Sequence, residues 1–330
     1  MKKRNKIIII VVSIILVLFT GVAYLIGDYF VNFSLVRGDD GYIGSKDDPN
    51  RPTDEDNPVV DHTIAVFKEN YDKWIVDVDI SDETIVSFDG LKLKALKYVT
   101  DPSSDKWVIL VHGYTRDNKM MLERSYNFAQ MGYNLLLPDS RAHGESEGKY
   151  VGSGWLERLD IIDWANTIIE DNSNAEIVLY GISMGGASVC MTSGELDKLP
   201  SNVKAIVSDC AYTTILEMFA NQLDYRYGLP AFPILNFAHI VANFRVGYDL
   251  DDADVLAQVS KSKIPMLFIH GDIDNFVPVE MAYSLYEASN NPNSELLIIE
   301  GAYHAQADYV NPKLYYETID DFLSKNVDNQ

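Results

Sequence analysis

Six short runs of almost unbroken apolar residues decide most of what this chain can fold into. They are "KWVILVHG", "YNLLLPD", "EIVLYG", "KAIVSD", "PMLFIHG" and "ELLIIEG", spread between Lys106 and Gly301. A strand with one face in water alternates apolar and polar residues, whereas an uninterrupted run belongs to a strand covered on both faces. Longer amphipathic stretches separate the runs, around 119–131, 154–171, 184–197, 278–290 and 312–325. Strand–helix–strand order repeated in this way calls for an α/β fold, a mostly parallel twisted sheet with helices on both faces. Two earlier runs, "TIVSF" and "LKLKALKYV", are expected to add an antiparallel hairpin ahead of it. One interval breaks the pattern: roughly fifty residues separate "KAIVSD" from "PMLFIHG", too many for bare loop. They include "FANQLDYRYGLPAFPILNFAHIVANFRVGY", dense in aromatics, and are expected to form helices of their own, a cap over about 211–258. In an open α/β sheet such an insertion sits at the carboxyl ends of the strands, where ligands bind.

The other strong constraint is at the start. "MKKRNK" precedes "IIIIVVSIILVLFTGVAYLI", twenty uncharged residues from Ile7 to Ile26. At about 1.5 Å per residue this spans a hydrocarbon core of about 30 Å, and it exceeds the usual apolar region of a signal peptide. Residues 1–27 therefore read as a single-pass membrane anchor, 28–63 as a lead-in or linker, and 64–330 as the main domain with its cap insertion. The basic flank stays on the cytoplasmic side, which makes everything after it extracytoplasmic. Gly21-Val22-Ala23 also fits a cleavage site, and secretion after cleavage is the alternative. Net charge is -22, and the four Lys/Arg of the first 27 residues face no acid there, so the remainder is more acidic still. Such a surface repels phosphates and excludes nucleic acid as a partner. Cys190 and Cys210 are too few for a disulfide scaffold or a cysteine-based zinc site, and read as two buried thiols that could also pair.

"EIVLYGISMGGASVC" holds the chemistry. Gly181-Ile182-Ser183-Met184-Gly185 is G-x-S-x-G between a strand and a helix, the setting in which a sharp turn presents serine as a nucleophile. A serine hydroxyl needs a base within hydrogen-bond reach. Of six histidines, His62 lies in the lead-in and His239 in the insertion. His112 and His270 precede glycines at strand ends, where structural histidines are common, and His143 sits in a polar loop. His304, in "EGAYHAQA" between the last strand and the last helix, is the one that follows a candidate acid in the order serine, acid, histidine. Asp274 of "HGDIDNFVP" is the favoured acid, with Asp272 and Asp209 as alternatives; Asp272 also suits a turn whose carboxylate binds backbone amides. The oxyanion of an acyl-transfer intermediate needs two N–H donors, and the backbone amides of Met184, at the helix start, and of Tyr114, in the loop after "WVILVHG", are the candidates.

With these residues placed, the chain resembles the α/β-hydrolase superfamily, and within it the exported or membrane-anchored bacterial serine hydrolases of the cinnamoyl-esterase and monoacylglycerol-lipase type. The resemblance covers about residues 80–325 and rests on "LVHGYTRD", "PDSRAHGESEG", "GISMGG", "HGDIDNFVP" and "GAYHAQA", in that order. It implies Ser183 as nucleophile, Asp274 as acid, His304 as base, and the Tyr114 and Met184 amides as the oxyanion hole. "LPAFPIL" looks like part of a cap. Ala142 stands where the family often has glycine, which implies a loop that needs no positive φ there. The lipase-type "HGGG" is absent, which argues against esters of bulky tertiary alcohols.

These residues point to an extracytoplasmic carboxylesterase working through an acyl-enzyme, on a small-molecule or lipid-like ester, with the membrane as partner through the N-terminal helix. No metal or organic cofactor is expected, since H-E-x-x-H and G-x-x-x-x-G-K-[ST] are missing. A peptidase or acyltransferase would use the same three residues, and a catalytically silent domain binding an envelope ligand is the reading from another class.

Overall fold

The computed structural model describes residues 2–37 and 57–327. Its elements run α1 (Lys2–Ser34), α2 (Pro58–Trp74), β1 (Asp79–Val86), β2 (Lys92–Val99), β3 (Lys106–Val111), α3 (Leu122–Gln130), β4 (Asn134–Pro138), α4 (Glu157–Asp171), β5 (Glu176–Ile182), α5 (Met184–Thr192) and β6 (Val203–Asp209). Then follow α6 (Ile215–Tyr227), α7 (Ala231–Arg245), α8 (Val255–Val259), β7 (Met266–Gly271), α9 (Glu280–Ala288), β8 (Glu295–Ile299), α10 (Ala307–Val310) and α11 (Pro312–Asn326). All eight expected strands form, in one sheet of order β1-β2-β4-β3-β5-β6-β7-β8. β1–β2 and β2–β4 are antiparallel, and every later pair is parallel.

Burial on both faces is visible strand by strand. In β3, Trp107, Ile109 and Val111 enter one core layer, while Val108 and Leu110 enter the other. The first layer is closed by α4 and α5, with Trp164 and Met191; the second by α3 and α11, with Phe128 and Phe322. A strand alternates its side chains between faces, so a run apolar at every position is what two covered faces require. β1 differs: at one of the sheet's two edges, its residues are mostly exposed and its apolar signal is weak.

The parallel strands end on one side, and the loops after β3, β4, β5, β7 and β8 converge there. The stretch about 211–258 is largely helical: Thr214 caps α6 by accepting from the Glu217 N–H at 3.1 Å, and Gly228 ends it in the left-handed conformation. Two elements depart from the expected lead-in. α1 continues past residue 27 to Ser34, and α2 begins at Pro58, capped by Asn57, whose side chain accepts from Val59 N at 3.1 Å. Residues 38–56 of that lead-in lie outside the described residues.

Candidate active site

β5 and α5 meet at Ser183 with no intervening loop, and Ser183 takes φ 57°, ψ -118°. That conformation costs a non-glycine residue about 1–3 kcal/mol, and the surroundings hold it. Ser183 N–H donates to Asp209 O at 2.8 Å, and Ser183 O accepts from Ala187 N at 2.9 Å. The flanking glycines are there for close approach: a Cβ on Gly181 would lie 2.2 Å from Gly185 O, and one on Gly185 would lie 2.1 Å from Val111 O. No side chain fits at either position without unmaking the turn.

Ser183 Oγ lies 2.9 Å from His304 Nε2, and His304 Nδ1 lies 2.7 Å from Asp274 Oδ2. The turn after β5 and the loops after β7 and β8 thus bring together the three residues that the sequence suggested. Asp274 Oδ1 accepts from the N–H groups of Phe276 and Val277, each at 2.9 Å. His270 adds a contact that the sequence did not reveal: its Nε2 is 3.2 Å from Asp274 Oδ2 and 2.8 Å from Val277 O. Burial alone would raise the Asp274 carboxyl, but His304 and His270 outweigh it and hold the group well below the usual carboxylate range. Behind His304, Ala305 is held at φ 57°, and its carbonyl accepts from Arg124, itself in a buried ion pair with Asp308 at 2.8 Å.

The alternative acids lie elsewhere. Asp272 accepts from Gly301 N–H at 2.6 Å and acts as a loop brace. Asp209 is buried and accepts from Tyr315 Oη at 2.8 Å. Cys190 and Cys210 are free and buried. His62 is exposed on α2, and His239 bonds Asp249 at 2.5 Å.

Tyr114 and Met184 both border the cavity beside Ser183. Met184 is the first residue of α5, so its N–H has no intrahelical acceptor. The loop carrying Tyr114 is fixed by two buried histidines. His143 Nε2 accepts from Thr115 N–H at 3.2 Å, and its Nδ1 lies 2.8 Å from Arg141 O. His112 Nε2 accepts from Ser140 N–H at 3.0 Å, with Nδ1 2.7 Å from Gly113 O. Both rings therefore carry one proton, on Nδ1, and burial keeps them neutral: His112 is lowered, and His143 is pushed down to about 3, with His112 adding to the effect. In the same loop cluster Ala142 sits at φ 59°, contrary to the expectation that alanine there marks a loop without positive φ. Its N–H is bound to Glu147 O at 3.0 Å and the residue is buried, so tertiary contacts impose the left-handed conformation that glycine would adopt freely.

A cavity of about 80 Å³ opens above Ser183. Its walls are mostly apolar, from α6 (Met218, Phe219, Leu223), from α7 (Leu235) and from the end of α1 (Phe30, Val31). Its polar edge is Gln222, which donates to Phe276 O at 2.8 Å and accepts from Arg226 at 2.8 Å. Among the described residues two groups have metal-ligand spacing, Cys210-Asp274-His304 and His239-Asp249-Asp251. In the first, His304 and Asp274 are already bonded to each other and burial pushes the Cys210 thiol well up, so the donor set suits proton transfer better than metal binding.

Residues 106–236 match the family model described as the alpha/beta hydrolase fold. The chain is 27% identical to the Bacillus subtilis (strain 168) protein YqkD over 286 residues, 82% of this chain and 93% of that protein. It is 22% identical to a thermostable monoacylglycerol lipase of Bacillus sp. (strain H-257) over 248 residues, 65% of this chain and 89% of that one. Among solved structures, the Pyrococcus furiosus esterase Pf2001 superposes with a TM-score of 0.61 at 27% identity, covering 76% of this chain and 93% of that chain. With its sheet order, its strand-to-helix serine turn and these matches, the chain has the α/β-hydrolase fold and is similar to members of that superfamily.

Proposed function

We propose that this chain is a membrane-anchored serine hydrolase that cleaves carboxylic esters, with Ser183 as nucleophile, His304 as base and Asp274 as the acid that orients it. The observation that carries the reading is the unbroken Ser183–His304–Asp274 hydrogen-bond relay at 2.9 and 2.7 Å. In that relay His304 keeps its proton on Nδ1, toward Asp274, and offers the Nε2 lone pair to Ser183. As Ser183 Oγ attacks the acyl carbon, its proton passes to Nε2. The oxyanion then develops against the Tyr114 and Met184 N–H groups. Collapse expels the alcohol, which takes the proton from Nε2 and leaves the acyl group on Ser183. Water, deprotonated by His304 in turn, attacks the acyl-enzyme and releases the acid. Similarity to an esterase and, more remotely, to a monoacylglycerol lipase favours esters over amides, and the apolar cavity favours an apolar acyl or alcohol group.

α1 is long and apolar enough to cross a membrane, with its basic residues at the outset. By the positive-inside rule the hydrolase domain lies on the extracytoplasmic side.

A fluorophosphonate probe tests the chemistry. The full-length chain should label, and Ser183→Ala should not, with ester turnover falling by about 10⁴-fold or more. A folded parent that stays unlabelled would remove Ser183 as an activated nucleophile.

A further inference from the structure

α1 does not simply lead away from the domain. Val31 and Leu35 are fully buried, and Tyr114 Oη donates to Ser34 O at 2.9 Å. Arg37 donates to the carbonyls of Ser146 and Gly144, each at 2.6 Å. α7 lies along α1 in the same direction. The Phe237 ring meets Phe19 edge-on at 6.0 Å, Gly27 abuts the Phe237 carbonyl, and Arg245 pairs with Asp28 and donates to Asn32 at 2.8 Å. Phe19 is seven residues inside the end of the apolar run at Ile26, about 10 Å at the helical rise. Asp28, Asn32 and Arg245 mark where the polar side begins. The N-terminal half of α7 therefore stands beside α1 at a depth where α1 is purely apolar.

Away from the domain, Ile240 and Phe244 of the helical turns are 58% and 88% exposed, Phe244 at the polar border beside Arg245, and Phe232, 75% exposed, precedes those turns in extended backbone. Asn236 and Asn243 share that side, as suits a helix that dips into one leaflet beside α1 without crossing the bilayer. Resting on the ester-hydrolase reading above, we infer that α7 is immersed beside α1 in the adjoining leaflet of the bilayer, and that the substrates are membrane-resident esters with a long acyl chain. Such a substrate enters a cavity walled by Phe30 and Val31 of α1 and by α6 and α7, directly from lipid. The N-terminal end of this exposed side is level with the apolar run of α1, which identifies lipid as its occupant, since a soluble partner would have to approach that end through the hydrocarbon core.

Two experiments on the full-length chain in phosphatidylcholine vesicles test this. Phe232→Cys and Phe244→Cys are labelled with an environment-sensitive fluorophore, the native cysteines being buried. Doxyl-lipid quenching should reach both positions and not a Lys313→Cys control, an exposed site on α11. Quenching no stronger than at the control would overturn the inference. Next, Phe232→Asp/Phe244→Asp should cut hydrolysis of a vesicle-borne long-chain monoacylglycerol by about ten-fold or more, and leave hydrolysis of water-soluble p-nitrophenyl acetate within about two-fold. Equal effects on both esters, or none on the vesicle-borne one, would overturn it. Quenching at both positions with no hydrolysis of either ester by the parent would overturn the ester-hydrolase reading instead, and with it the substrate class, while the immersion of α7 would stand.

Discussion

Asp274 is shared by two imidazoles, and only one of them reaches Ser183. His270 holds the carboxylate from behind, so it acts through Asp274 as a positioning residue. His270→Ala should lower kcat by about ten- to hundred-fold with KM little changed, because the acyl group never touches His270. His270→Gln retains an N–H donor and should recover most of the loss; equal losses in both variants would reduce His270 to packing. The relay itself was legible in the sequence, since the glycines around Ser183 and the order serine, acid, histidine leave few other assignments. His270 was not, because the loop that folds Asp274 back onto it, through the amides of Phe276 and Val277, has no linear signature beyond a histidine four residues before the acid. Ala142 was misread for a related reason: residue type reports the conformation a position favours, and buried contacts overrode it.

At the scale of elements, legibility follows burial. Strands covered on both faces announce themselves as apolar runs, and the six read in that way formed, together with the two of the hairpin. α2 escaped notice because it buries only Val60, Thr63 and Phe67, too thin a stripe among charged residues to stand out. The joints between elements are also hidden. Tyr180 of β5 donates to Tyr315 of α11 at 2.8 Å, and Tyr315 donates to Asp209 at the end of β6 at 2.8 Å. The other Asp209 oxygen has no partner among the described residues. Burial, helped by nearby Asp308, pushes this carboxyl up to about 6. A raised value means the folded state keeps a proton that the unfolded chain gives up near pH 4. The stabilisation is thus complete below about pH 4 and is lost as pH rises through 6, on the order of 3 kcal/mol in all. Asp209→Asn keeps an acceptor for Tyr315 and has nothing to titrate. Its melting temperature should gain on the parent's between pH 4 and pH 7; a difference that stays flat across that range would refute a protonated Asp209.

For the whole molecule, the joint between α1 and α7 decides whether the N-terminal helix is a tether or a working part. Nothing in the local pattern foretold it, because the contacts link residues 19–32 with 237–245 and depend on where the insertion folds. A tether needs only length and apolarity, and its exact residues past the membrane would be indifferent. A pocket wall needs shape, and Gly27 supplies it: a Cβ there would fall 2.4 Å from Phe237 O and 2.7 Å from Val241 Cγ2, so only glycine lets the helices touch. Gly27→Leu keeps the apolar run and adds helix propensity, so insertion should be unaffected. It would wedge α1 from α7 and move Phe30 and Val31 off the cavity, an overpacking that a backbone carbonyl cannot relieve by a rotamer change. Turnover of soluble and vesicle-borne esters should then fall together by about ten-fold, unlike the selective loss expected when the outer face of α7 is changed. Limited trypsin digestion of the full-length chain should also cut faster after Arg245, whose side chain now bonds Asp28 and Asn32. Unchanged turnover and unchanged digestion would leave α1 as a tether.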